Sequence, residues 1–328
     1  TNNEKDSHFI AKLHRVVGER KNLEINTDSE AQSIANILRT SKYEVNSINT
    51  RPTTRRPSPA FITSTLQQEA FRKLRFTARR TMSVAQQLYE GINLDSEGSS
   101  GLITYMRTDS INMSSYAIDQ ARDVIKEKYG SDHIPEKPKS YKTKVKGAQE
   151  AHEAIRPTSF ARDPESIRSS LTNDQYRLYD LIWKRAIASQ MADAKFQQTS
   201  VDIHTENNES DIRYLLRTSG SIMTFDGFLK IYTEGKDEPS NDSDDGRIIP
   251  KLSEGQALRA SDIAPNQHFT QPPPRYTEAS LVKALEEKGI GRPSTYATIM
   301  GTIQDRGYVD KENNSFKALR LGVAVSDL

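Results

Sequence analysis

Apolar residues recur at two different spacings along this chain, and the spacing changes in blocks. Between residues 28 and 39, Ala31, Ile34, Ala35 and Leu38 fall at helical intervals, and the flanking stretches 8–17 and 43–51 read as strands. Residues 61–191 read as largely helical, with helices over 64–74, 78–90, 114–129 and 172–191. The last of these carries Tyr179, Ile182, Ala186 and Ile187 on one face. Strand patterning returns over 200–204, 211–218, 228–232 and 257–260. Prolines separate the blocks, at Pro52, Pro57 and Pro59 and again at Pro272-Pro273-Pro274.

This order predicts a multidomain chain of mixed α and β structure. A β-rich domain, residues 1–58 and 192–271, is split by an inserted helical domain, residues 59–191, and a third piece covers 272–328. In that piece Glu278, Leu281, Val282 and Leu285 mark a helix ended by Gly289. Pro293 suits the first turn of a second helix, whose apolar face is Tyr296, Ile299, Met300 and Ile303. Tyr308-Val309 and the stretch from Phe316 then flank Glu312-Asn313-Asn314-Ser315, a hairpin signal. Helix, short turn, helix and hairpin is a winged-helix pattern. It fits a nucleic-acid contact and equally a small packing unit with no such role.

Composition narrows the classes. The 328 residues are 34% hydrophobic and carry a formal net charge of only +2, so net charge does not announce nucleic acid. Its distribution is more telling. Arg51, Arg55, Arg56, Arg72, Lys73, Arg75, Arg79 and Arg80 face Glu69 alone between 51 and 80, and Lys137, Lys139, Lys142, Lys144 and Lys146 form a second basic run. Arg72, Arg75 and Arg79 are spaced to share one helix face and are candidates for backbone phosphates of single-stranded DNA. The acidic stretch 234–245, rich in Ser and Asn, reads as a mobile loop. With no cysteine there is no disulfide and no zinc ribbon. No apolar run approaches a membrane span, and a chain opening on Thr1 is expected to be processed or excised from something longer.

Two short blocks hold candidate chemistry. The first is Thr104-Tyr105-Met106-Arg107-Thr108-Asp109. A phenol is mostly neutral at pH 7, so a tyrosine that attacks phosphorus must lose its proton and meet a phosphodiester whose charge is offset. Arg107 offers a planar, permanently charged fork suited to phosphate oxygens. In a strand, Tyr105 and Arg107 would point to the same side and could share one phosphate. Taken alone, a strand-edge tyrosine beside a surface arginine is the plainer reading of the pair. The second block is His152-Glu153-Ala154-Ile155-Arg156-Pro157. His152 could orient a phosphate oxygen or pass a proton, with Glu153 or a backbone group holding its tautomer; a helix-start histidine with a paired arginine is the plainer reading.

Together the blocks do more than each alone. With Gly289-Ile290-Gly291-Arg292-Pro293-Ser294-Thr295-Tyr296 following in order, and with Pro59-Ala60-Phe61-Ile62-Thr63-Ser64-Thr65 before them, the chain resembles the bacterial type IA DNA topoisomerases over nearly its whole length. The resemblance implies an isomerase that needs no ATP. It would cut one DNA strand through a 5′-phosphotyrosine link, pass a strand and reseal, relaxing negative supercoils. It makes Tyr105 the nucleophile, with Arg107 and His152 at the scissile phosphate, and Thr104, Thr108, Asp109 and Arg156 around them. Arg292, Ser294 and Thr295 would hold phosphates of the single strand, which a helix N-terminus also favours physically. The split β-rich domain would be the family's arch, and 272–328 part of its gate base.

The resemblance also implies a Toprim domain that binds Mg²⁺ through acidic residues. The present chain has no such cluster in a suitable setting, so it is expected to bind no metal and to lack relaxation activity alone. A bacterial cytoplasm is the expected location, with an organelle of bacterial descent as the alternative, and no membrane is implied. The rival readings are a winged-helix module that binds single-stranded DNA without chemistry, and a tyrosine recombinase. The recombinase order is reversed here, because Tyr105 precedes His152.

Overall fold

The computed structural model describes residues 8–94, 98–142, 153–208, 210–237 and 249–328. Two compact units emerge. One gathers the described residues up to Thr54, Lys195–Phe225 and those from 249 to Pro272. The other gathers Arg55–Ala194, the described residues from Asp226, and Pro273–Leu328.

The first unit is a five-stranded sheet with one helix. Its strands are β1 (Lys12–Val16), β2 (Lys42–Arg55), β5 (Ala194–Glu206), β6 (Tyr214–Phe225) and β7 (Ala257–Leu258), in the order β1-β6-β5-β2-β7. The pairs β1–β6, β5–β6 and β2–β7 are antiparallel. Alternation decides what is buried: Tyr43 and Val45, Val201 and Ile203, and Tyr214 and Leu216 all point to one core, each pair two residues apart. Helix α1 (Asp28–Thr40) closes that core with Leu38. Thr27 caps it by accepting from the Glu30 amide at 3.2 Å, and Asn207 donates to the Ile37 carbonyl near its end at 2.9 Å.

The second unit is built on α2 (Thr63–Glu69), α3 (Ala78–Glu90), α4 (Ser115–Tyr129) and α5 (Asn173–Ser189), with a short antiparallel pair β3 (Ile92–Leu94) and β4 (Gly98–Ser100) after α3. Helix α5 is buried on nearly all sides, more than the one apolar face in its sequence requires. The expectation of mostly helix over 61–191 is met only by these helices and short turns. Residues 101–114 are irregular apart from an isolated bridge at Ile103, and they carry Tyr105.

Three further expectations are corrected. The stretch 228–232 is not a strand but a 3₁₀ turn over Gly227–Lys230. Gly227 has φ +50° and packs against the Ala192 and Asp193 carbonyls, so Phe228 bonds to Ala192 and not to a ladder. The helix over 64–74 divides: α2 passes into a π-helical turn, Ala70–Leu74, and stops at Arg75 in the left-handed region, φ 61°. Thr77 then caps a new helix by accepting from the Arg80 amide at 3.1 Å. Arg72, Arg75 and Arg79 therefore share no helix face. The start of the acidic stretch is not a loose loop either, because Glu234 and Asp237 are ion-paired to Arg185 and Arg72; residues 238–248 lie outside the described residues.

Pro273–Leu328 gathers with the helices. It holds α6 (Glu278–Glu287), α7 (Tyr296–Asp305), the hairpin β8 (Val309–Glu312) and β9 (Ser315–Ala318), and α8 (Arg320–Ser326). Asn313 and Asn314 turn the hairpin with φ 49° and 65°, the pair of positive values a two-residue turn demands. Helix α6 packs on α2 and α7 on α3, and Ala78, Val282, Leu285, Tyr296, Met300 and Phe316 form a shared core.

Candidate active site

The loop carrying Tyr105 is held by side chains and isolated bridges, not by a sheet. Leu102 N–H donates to the Leu88 carbonyl at the end of α3 (2.7 Å), and Thr158 N–H to the Leu102 carbonyl (3.0 Å). Thr104 exchanges bonds with the facing segment: its amide donates to Arg156 O at 2.9 Å, its hydroxyl donates to Ala154 O at 2.7 Å, and it accepts from Arg156 N–H at 3.0 Å. Thr63, at the start of α2, holds the other end. Its hydroxyl lies 2.7 Å from Met106 O and accepts from Thr108 N–H at 2.9 Å.

This pinning sets an alternation without a strand. Met106 and Thr108 are buried, while Tyr105 and Arg107 are exposed. Tyr105 lies edge to face against Tyr89, with ring centroids 5.3 Å apart. Arg107 makes no hydrogen bond or ion pair with another described residue. The loop thus offers a phenol and a guanidinium to solvent from a backbone that is fixed on both sides.

The remaining candidates divide. Thr104 and Thr108 spend their side chains on the loop itself, Thr108 accepting from Ser110 N–H at 3.0 Å. Asp109 is half-buried beside them. Arg156 is not a phosphate fork in this state. Its side chain is 12% exposed, paired with Glu153 at 2.5 Å and donating to Pro157 O at 2.8 Å. Burial opposes the Glu153 charge, but Arg156 and the Ser114 amide at the start of α4 outweigh it and hold the carboxyl below its usual range. Glu153 is therefore occupied by Arg156 and Ser114. His152 lies outside the described residues.

The basic candidates also separate. Arg72 bridges Glu69 at 3.3 Å and Asp237 at 2.6 Å, inside a buried network where Tyr232 donates to Glu69 (2.7 Å) and Arg185 reaches Tyr232 (3.1 Å). Buried charges paired in this way hold the fold, and removing one would strand its partner. Arg79 pairs with Asp305 of α7 at 3.0 Å. Arg75 is exposed, with its guanidinium 5.9 Å from the Phe71 ring centroid. Arg292, Ser294 and Thr295 are exposed on the turn that leads into α7. Thr295 Oγ1 accepts from Arg292 N–H at 2.8 Å, while the guanidinium folds onto Gly291 O at 2.7 Å.

Two residues escaped the sequence reading. Ser64, one residue into α2, donates to Glu286 of α6 at 2.7 Å. Burial, with Glu287 and Asp109 adding repulsion, pushes the Glu286 carboxyl above its usual range despite that bond. Tyr89 is the other, and only its place beside Tyr105 marks it. Among the described residues no group of three or more His, Asp or Glu side chains is placed to hold a metal ion.

Comparison with known proteins fits this arrangement. A family model described as DNA topoisomerase matches residues 4–328. The chain is 50% identical to DNA topoisomerase 1 of Xylella fastidiosa (strain 9a5c) over 97% of its length and 39% of the relative's. It is 46% identical to that of Rickettsia bellii over 99% of its length and 40% of the relative's. Full-length topoisomerase I from Thermotoga maritima shares the fold with a TM-score of 0.74 at 33% identity, over 97% of this chain and 51% of that one. The chain spans about two-fifths of the length of these curated relatives. It belongs to the bacterial type IA DNA topoisomerases.

Proposed function

We infer that this chain carries the cleavage tyrosine of a type IA topoisomerase, and that Tyr105 is that residue. The observation that carries the reading is the exposed pair Tyr105 and Arg107 on a loop whose alternate residues are pinned inside. In the reaction the Tyr105 oxygen attacks phosphorus, the phenolic proton leaves, and a P–O tyrosyl bond forms. The bond from phosphorus to the 3′ oxygen breaks, and that oxygen takes up a proton. The ester energy is kept in the phosphotyrosine, so resealing reverses the step without a nucleotide. Arg107 offsets charge on the non-bridging oxygens. His152 acts beside them, and Arg292, Ser294 and Thr295 guide the single strand. The sheet unit is the arch, and Pro273–Leu328 is part of the gate base.

Mg²⁺ would serve the full-length protein through Toprim, where the resemblance also sets the acid and base groups. Residues 1–328 alone are then expected to bind single-stranded DNA without relaxing supercoils. The protein would work in a bacterial cytoplasm, and no helix among the described residues is long and apolar enough to cross a membrane. The test is to incubate the full-length protein with an end-labelled single-stranded oligonucleotide and magnesium, denature it and look for the shifted adduct. Wild type should form it and Tyr105→Phe should not. An adduct that persists in Tyr105→Phe puts the nucleophile elsewhere.

A further inference from the structure

We propose that Tyr89 is a positioning residue for the cleavage step, acting through the ring of Tyr105. The inference rests on the assignment of Tyr105 as nucleophile. Tyr105 stands on an irregular loop and is 39% exposed, so its backbone alone does not fix where the phenol points. Its ring meets that of Tyr89, at 5.3 Å between centroids and 65° between planes. That is an edge-to-face geometry, favourable between aromatic quadrupoles.

Tyr89 can hold a neighbour because it is itself held. It is the second-last residue of α3, which is anchored by the buried residues Ala78, Thr81, Val84, Ala85 and Leu88. The chain entering the Tyr105 loop runs directly against it. A Cβ on Gly101 would stand 2.7 Å from the Tyr89 carbonyl oxygen, so only glycine lets the two backbones approach this closely. The next residue, Leu102, bonds to Leu88 O at 2.7 Å. The root of the loop and the base of the Tyr89 ring therefore form one rigid piece. Tyr89 is 40% exposed, so packing in the core does not explain an aromatic there. Rotation of the Tyr105 side chain away from its present position must break the ring contact, and the contact thus narrows the directions open to the phenol oxygen.

The experiment uses the full-length protein with Tyr89→Leu and Tyr89→Phe. Single-turnover adduct formation on a labelled oligonucleotide should slow about three- to tenfold in Tyr89→Leu, the range one aromatic contact supplies. The dissociation constant for the same oligonucleotide should stay the same, and Tyr89→Phe should restore the rate. A second readout does not depend on chemistry: 3-fluorotyrosine at position 105 should change its ¹⁹F shift in Tyr89→Leu as the neighbouring ring current is lost, and keep it in Tyr89→Phe. A wild-type rate in Tyr89→Leu, a Tyr89→Phe as slow as Tyr89→Leu, or an unmoved fluorine signal would each overturn the proposal. Failure of the nucleophile assignment shows separately, as an adduct in Tyr105→Phe.

Discussion

Thr63 and Thr108 hold each other by a reciprocal pair of bonds. The Thr63 amide donates to the Thr108 carbonyl at 3.0 Å, and the Thr108 amide donates to the Thr63 hydroxyl at 2.9 Å. The same hydroxyl lies 2.7 Å from the Met106 carbonyl, so one side chain fixes both residues that flank Arg107. Thr63 and Thr108 are both buried, and water cannot take over these bonds. Thr63→Val keeps the shape but strands the Thr108 amide and the Met106 carbonyl. It should cost about 1–3 kcal/mol, as an unsatisfied buried group does. Urea unfolding checks the stability, and adduct formation should slow as the loop loosens. A variant as stable as wild type would mean that the loop is held elsewhere.

Glu286 should make stability depend on pH in one direction. Its carboxyl is raised above the ordinary value of 4.5 by burial, with Glu287 and Asp109 adding to it. The folded protein then holds this proton more tightly than the unfolded chain. The stability it contributes is complete below the unfolded value and is lost as pH rises through the folded one. Glu286→Gln removes the titration and keeps an acceptor for the Ser64 hydroxyl, which sits 2.7 Å away. Its melting temperature should fall less between pH 4.5 and neutrality than that of wild type. Parallel curves for the two proteins would count against the shift.

Glu153 should show the opposite sign. Burial disfavours its charge, but Arg156 and the Ser114 amide win and hold it below 4.5. Its contribution is present above the unfolded value and is lost as pH falls through the folded one. Glu153→Gln should therefore destabilise at neutral pH, by about 1–3 kcal/mol, because Arg156, whose side chain is largely buried, keeps its charge without that counter-charge. The deficit should shrink on acidification. If the deficit is equally large under strongly acidic conditions, the ion pair is not its source.

Much of this was legible from the sequence, and the failures have physical causes. The Tyr105–Arg107 block stood out by its residue types, and its alternation was right. Its strand was not, because Thr63 and Thr104 supply through side chains the bonds a ladder would have given. No glycine or proline marks the end of the helix before Phe76, so the left-handed turn at Arg75 could not be foreseen. Arg156 and Arg72 each have a carboxylate three residues before them, Glu153 and Glu69, and the sequence does not say whether such a neighbour or a phosphate takes the guanidinium. Asp237 comes to Arg72 from 165 residues away. Ser64 and Glu286 are 222 residues apart, and only packing of α2 on α6 joins them.

Those placements separate the arginines experimentally. Binding of the full-length protein to single-stranded DNA should weaken with salt, in a log–log slope of a few units. Arg75→Ala and Arg292→Ala, at exposed sites, should each lower that slope by about 0.7, the loss of one phosphate contact. Arg72→Ala should leave the slope alone and lower the melting temperature, since it uncovers Glu69 and Asp237. A slope that falls with Arg72→Ala and not with the other two would reverse the assignment.

Arg107 gives the sharpest chemical test. Its guanidinium is exposed and makes no bond to another described residue, so its substitution should not disturb the fold. Arg107→Lys keeps the charge, and single-stranded DNA binding should change by less than about threefold, because an ammonium still attracts a phosphate as a point charge. Cleavage is different. As Tyr105 approaches phosphorus, charge builds on two non-bridging oxygens at once, and only the planar fork can bond to both from one side chain. Adduct formation should therefore slow about ten- to hundredfold in Arg107→Lys, short of the loss expected when a preorganised donor is removed altogether. Arg107→Ala should slow it further and weaken binding as well. Rapid-quench measurement at saturating oligonucleotide separates the two effects. A lysine variant that cleaves at the wild-type rate would show that charge alone is needed, and that the two-pronged contact plays no part in the transition state.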